Sequence, residues 1–170
     1  MSSVQKWYAV YTKPKSEKKL QENLRKIDIT TYLPVLAQKR KWSDRVKTLE
    51  MPVFPSYLFV FLDYEKDSLK VLKDSHSVNF VTTSGTPCEI PADDIEMVKF
   101  FIESYPDKMK LDRERMFQKG RKVCIRSGPF AGKTAVIEKV KNSYYVIVNI
   151  PAVNSALTME IAKENIDEFI

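Results

Sequence analysis

The chain has 170 residues, 44% of them hydrophobic, a formal charge of +6 and a pI near 9.2. The length admits one ordinary domain or two small ones, and the apolar share excludes an intrinsically disordered chain. The longest apolar stretch, Tyr57–Leu62, is far too short for a helix across a bilayer. No apolar run of signal-peptide length opens the sequence. A cytoplasmic protein with no membrane partner is therefore expected.

The charge is unevenly placed. Residues 1–50 carry 12 Lys and Arg against 5 Asp and Glu, a balance of +7, whereas the remainder balances to −1. A local positive field suits a polyphosphate backbone, although a solvated basic face without a partner would have the same composition. Cys88 and Cys124 lie far apart, with no Cys or His at metal-ligand spacing, so two reduced thiols and no bound metal are expected.

WYAVYT, Trp7–Thr12, is aromatic and β-branched and predicts a strand. KPKS breaks it. Ser16 then has the chemistry of an N-cap for a helix through Ile27, burying Leu20, Leu24 and Ile27 and showing Lys18, Lys19, Glu22, Arg25 and Lys26 to solvent. Thr30–Ala37 reads as a strand interrupted by Pro34, which points to an edge or a bulge. Gln38–Lys47 holds five cations and one anion and predicts a hairpin or mobile loop. Tyr57–Leu62 is apolar without a break and predicts a central strand. Tyr57, Phe59 and Phe61 fall on one face, and Leu58, Val60 and Leu62 on the other.

Glu65–Ser77 fits a short helix with Leu69 and Leu72 inward. VNFVTTSG predicts a strand ending at Gly85. Pro91 followed by Asp93 and Asp94 marks a helix start, with Ile95, Val98, Phe101 and Ile102 as its buried stripe. The order is that of an α+β layer sandwich, helices on one face of a mostly antiparallel sheet. Ser104–Met116 is charged and weakly periodic and reads as a linker. From Phe117 the texture changes. Gly120, Gly128 and Gly132 punctuate short apolar or alternating runs, which predicts a small closed β-barrel.

Nothing here points to catalysis. The single histidine, His76, has Asp74 and Ser75 beside it, but neighbours in sequence do not make a triad. Neither a phosphate loop nor an HExxH or dinucleotide fingerprint is present. No enzyme and no cofactor are expected.

Three segments carry a resemblance: WYAVYTKPKSEKK; VFPSYLFVFL about forty residues on; and NFVTTSGTPCEIP. In this order and spacing they resemble the N-terminal (NGN) domain of the NusG family. KGRKVCIRSGPFAGKTAVIEKV is similar to that family's KOW motif, with its turn at Gly128, Pro129, Phe130, Ala131 and Gly132. The resemblance covers nearly the whole chain. It implies a ferredoxin-like NGN domain over 1–104, a linker over 105–116 and an SH3-like KOW barrel over 117–170.

The resemblance also implies partners. The first domain would bind the clamp helices of RNA polymerase through Tyr11, Phe54, Pro55, Tyr57, Phe59 and Phe80, favouring the elongation-competent enzyme by mass action. Lys13, Lys15, Lys18, Lys19, Arg40, Ser75 and His76 would meet the non-template DNA strand. A neutral histidine is a weaker phosphate partner than arginine. Gly128, Pro129, Phe130 and Gly132 would face Rho or a small-subunit ribosomal protein, although Phe130 also suits a barrel plug.

The resemblance is closest to operon-specialised paralogues of the RfaH and UpxY type, antiterminators of long surface-polysaccharide operons. A general NusG acting with Rho, and a KOW-type RNA-binding or ribosome-associated protein, are the competing readings. The second lacks a basic excess after Phe117.

Overall fold

The computed structural model describes residues 4–112, 121–125, 131–132, 134–140, 142–162 and 166–167. The chain forms two compact units, Met1–Ile95 and Glu96–Ile170.

The first unit opens with β1 (Lys6–Thr12), α1 (Glu17–Arg25), β2 (Thr30–Tyr32), β3 (Val35–Lys41), β4 (Val46–Pro52) and β5 (Tyr57–Leu62). It continues through α2 (Tyr64–Leu72), β6 (Ser77–Phe80), β7 (Thr82–Thr83), β8 (Thr86–Pro87) and β9 (Glu89–Ile90). Helix α3 (Ala92–Ser104) spans the boundary between the units. The main sheet runs β2-β5-β1-β6, with β9 also on β1, and every pairing is antiparallel. β5 is thus an inner strand, as its unbroken apolar run predicts. Pro34 ends β2 and separates it from β3, which pairs with β4 in a hairpin of its own.

Strand alternation decides what each sheet face buries. Tyr8 and Val10 of β1 join Leu58, Val60 and Leu62 of β5 in one core with Leu20 and Leu24 of α1 and Val71 of α2. Each fully buried aliphatic side chain there contributes about 1.5–3 kcal/mol.

Two expected helix stripes need correction. Ile27 is 47% exposed, and Ile29 is buried in its place. The reason is the end of α1. Asp28 takes a left-handed φ of 60°, and the Ile29 N–H donates to the Leu24 carbonyl at 3.1 Å. This turn redirects the chain so that the residue after it, not before, enters the core. In α2, Leu69 is 68% and Leu72 36% exposed, whereas Val71 is fully buried. Tyr64 and Val71, seven residues apart, lie on the core side and leave the two leucines facing out. Along α3, Ile95, Val98 and Phe101 are buried, while Ile102 is only half-buried.

The second unit contains β10 (Lys110–Asp112), β11 (Arg121–Ile125), β12 (Thr134–Val140), β13 (Ser143–Ile150), β14 (Ser155–Ile161) and β15 (Ile166–Asp167). They form an antiparallel sheet in the order β10-β14-β13-β12-β11-β15. Ile137, Val146 and Met159 are in register across it, and all three are buried. β10 lies inside the stretch expected as linker, yet it is hydrogen-bonded to β14. The expected α+β class holds: a sheet with helices, followed by a strand-rich region.

Candidate functional site

The face of the main sheet opposite the helix core is aromatic. β1 and β5 pair with Trp7 against Phe61, Ala9 against Phe59 and Tyr11 against Tyr57. Because cross-strand partners share a face, the rings line up in a ladder, tilted to one another. Trp7 and Phe61 lie 5.3 Å apart, and Tyr11 and Tyr57 4.8 Å. β2 adds Tyr32 beside Phe59 at 6.4 Å. Phe54 meets Phe59 edge-on at 5.6 Å.

Burial grades these residues. Phe59 and Phe54 are buried, and Tyr11 is 39% exposed. Pro55 is exposed and Tyr57 half-buried. The part of this face open to solvent is therefore Tyr11, Pro55 and Tyr57, resting on Phe54 and Phe59. Burial, and then a hydrogen bond with Tyr11, push the Tyr57 phenol up to about 12.

Phe80 does not belong to this group. It is 2% exposed and pairs with Val10, on the helix side of the sheet. Its ring meets Tyr8 at 6.2 Å and Tyr64 at 5.0 Å, both edge-on. One residue of alternation separates the faces, so Phe80 is a core side chain and cannot dock a partner. Sequence reasoning missed Trp7, Tyr32 and Phe61, which extend the ladder. The alternation that grouped Phe61 with Tyr57 was the available signal. A cavity at that end of the ladder is lined by Trp7, Phe61, Ile90 and Pro91, with Lys6 and Glu89 at its rim forming an ion pair at 2.7 Å.

The turn into β5 is tightly held. Ser56 has a left-handed φ of 66°. Its N–H donates to Glu17 Oε1 at 2.7 Å, and its carbonyl accepts the Thr12 N–H at 2.9 Å. The start of α1 and the end of β1 thus both fasten the segment that presents Pro55 and Tyr57.

The basic candidates gather where β1 runs into α1. Lys13, Lys15, Lys18 and Lys19 are all exposed. The Lys13 N–H donates to the His76 carbonyl at 2.9 Å, which brings the segment of Ser75 and His76 beside them. A bulge makes this possible. Tyr11 pairs with Asn79 but Thr12 with Ser77, leaving Val78 out of register and 59% exposed. Bulges re-aim the chain in this way.

Asp74 organises the segment. Its Oδ1 accepts the His76 N–H at 2.8 Å and also lies 2.8 Å from His76 Nδ1. Its Oδ2 accepts Asn23 Nδ2 at 2.8 Å. Burial opposes ionisation of Asp74, but these hydrogen bonds and the His76 ring outweigh it and hold the carboxyl below its usual value. Because an ionised carboxylate only accepts, the His76 Nδ1 must carry the proton.

Lys18 pairs with Glu50 at 3.0 Å and Lys19 with Glu22 at 3.7 Å. Exposed pairs of this kind are weak. Arg40 lies on the β3–β4 hairpin directly opposite Lys47. Trp42, 53% exposed, closes the hairpin turn by donating its N–H to the Arg45 carbonyl at 2.7 Å. Like charges in opposite register repel.

In the second unit, Gly132 has a φ of 78° and donates its N–H to the Ile125 carbonyl at 2.8 Å, a conformation that favours glycine. Gly128, Pro129 and Phe130 lie outside the described residues. Among the described residues, no His, Cys, Asp and Glu group could hold a metal ion, and no helix is long and apolar enough to cross a membrane.

Residues 5–99 match the family described as NusG, transcription termination factor nusG. The transcription termination/antitermination protein NusG of Staphylococcus aureus strain Mu50 is 26% identical over 151 residues, covering 82% of each chain. A solved structure of Thermotoga maritima NusG aligns over 98% of each chain at 21% identity, with a TM-score of 0.48. The matched segment takes in the whole aromatic ladder and every basic candidate, more than half of the sequence, and the chain belongs to the NusG family.

Proposed function

We propose that this protein is a transcription elongation and antitermination factor that docks on RNA polymerase through the aromatic face of its first unit. The observation that carries the reading is the Tyr11–Tyr57 pair beside exposed Pro55, over buried Phe54 and Phe59. Such anchors bury large areas at small entropic cost. Preferential binding to the elongating conformation of polymerase would draw the enzyme out of paused states.

Lys13, Lys15, Lys18 and Lys19, with Ser75 and His76 beside them and Arg40 on the hairpin, are proposed to follow the exposed non-template strand. Aromatic and basic groups together suit single strands. The basic hairpin favours an operon-specialised role, such as antitermination in surface-polysaccharide operons. A general factor acting with Rho is the second reading, favoured by the pairing of termination with antitermination in the name of the Staphylococcus aureus relative. In either role the KOW turn, Gly128 to Gly132, would meet Rho or a ribosomal protein. The proposed domain limits are 1–104 and 117–170.

The test is binding to a stalled RNA polymerase elongation complex. Tyr57→Ala, checked for folding, should weaken binding by about 2 kcal/mol, as loss of an aromatic anchor does. Absence of wild-type binding on several templates would overturn the reading. Adding Rho to the same complexes separates the two roles: termination stimulated by the protein supports the general factor, and read-through supports the specialised one.

A further inference from the structure

Glu17 is a carboxylate 5% exposed that neither the aromatic face nor the basic edge uses directly. Burying a charge is costly unless hydrogen bonds and favourable fields compensate. Two such features are present. Glu17 is the first residue of α1, where the helix dipole favours negative charge. Its Oε1 accepts the Ser56 N–H at 2.7 Å.

Ser56 is the residue that needs holding. Its φ of 66° lies in the region that costs a non-glycine residue energy. Such backbone persists only where the surroundings over-determine it. Here both backbone groups of Ser56 are engaged, the N–H by Glu17 and the carbonyl by Thr12. Directly on either side stand Pro55 and Tyr57.

We propose that Glu17 is the positioning residue of the docking face: its buried carboxylate fixes Ser56 in the left-handed conformation that sets Pro55 and Tyr57 at the height a partner meets. This inference rests on the polymerase-docking reading above. Glu17 touches no partner itself. It converts the start of α1 into a brace for a surface formed by β1 and β5. The same helix carries Lys18 and Lys19, so one element supports the aromatic face and presents cations to nucleic acid.

The experiment uses the full chain with Glu17→Ala, Glu17→Gln and Tyr57→Ala, each bound to a stalled elongation complex. Glutamine retains an oxygen that can accept from Ser56, so Glu17→Gln should bind as wild type does. Glu17→Ala should bind about tenfold more weakly. The second readout is the phenol of Tyr57, followed by NMR of ring-labelled tyrosine and assigned with Tyr57→Phe. With the brace gone, its ring resonance should move away from its wild-type position. Glu17→Gln should leave it in place.

Should Glu17→Ala fail to fold, Glu17→Asp keeps the charge while withdrawing the acceptor by one methylene, and should also lose affinity. A folded Glu17→Ala or Glu17→Asp that binds like wild type, with the Tyr57 resonance unmoved, overturns the proposal. If Tyr57→Ala still loses binding in that case, the docking reading stands without it. If the wild type itself does not bind, the docking reading fails, and the proposal fails with it.

Discussion

Replacing Phe80 should destabilise the protein, not disarm it, and the contrast with Tyr57 can be worked from the structure. Phe80 is 2% exposed and meets the rings of Tyr8 and Tyr64 edge-on. Truncating a buried phenylalanine to alanine costs about 3–5 kcal/mol, a large part of the ~5–15 kcal/mol that separates folded from unfolded domains. Phe80→Leu is the gentler probe, costing about 1–1.5 kcal/mol. With a urea dependence of about 1–1.5 kcal/mol per molar, its midpoint should fall by roughly 1 M. Tyr57→Ala removes a half-buried ring whose partner is Tyr11, and should cost about 1 kcal/mol or less in stability.

Tryptophan fluorescence suits the measurement because Trp7 and Trp42 both lie in the first unit. Trp42 is 53% exposed, so Trp7, packed on Phe61 at 5.3 Å, carries most of the signal. Folded Phe80→Leu should bind polymerase normally. A Phe80→Leu protein with an unchanged urea midpoint and abolished polymerase binding would refute the placement of Phe80 in the core.

Two further outcomes follow from the same geometry. Asp74 has its carboxyl held below the ordinary value by His76 and Asn23. A lowered carboxylate stabilises the fold above its unfolded value of about 3.9, and that contribution is lost as pH falls through the folded value. Asp74→Asn should therefore flatten the acid limb of a stability profile measured from pH 6 downward. An unchanged limb would contradict the assignment. In α2, Leu69→Ser and Leu72→Ser should each change stability by no more than about 0.5 kcal/mol, whereas Val71→Ser should cost about 2 kcal/mol or more. Denaturant midpoints of the three variants check the corrected helix face.

The elements were legible because their signals are local. Apolar runs and alternation along β1 and β5 are properties of neighbouring residues, as is the spacing of Leu20 and Leu24 on α1. The basic stretch 38–47, read as a hairpin or a mobile loop, lies in the β3–β4 hairpin. Even the two faces of β5 follow from its alternation alone. What the sequence could not show is which face each strand turns to which neighbour. Phe80 resembles Phe59 in type and setting, yet pairing with Val10 sends it to the helix side. Leu69 and Leu72 look like a helix stripe until the docking of Tyr64 and Val71 turns α2 the other way.

The bond from Ser56 to Glu17 joins residues 39 apart, and the bulge at Val78 sets Lys13 against His76. Neither leaves a trace in local pattern. Residue type, period and charge were thus determined by the sequence itself. Register and handedness at single positions, Asp28 and Ser56 among them, were decided only when distant strands and helices met, because a one-residue shift in pairing exchanges core for surface.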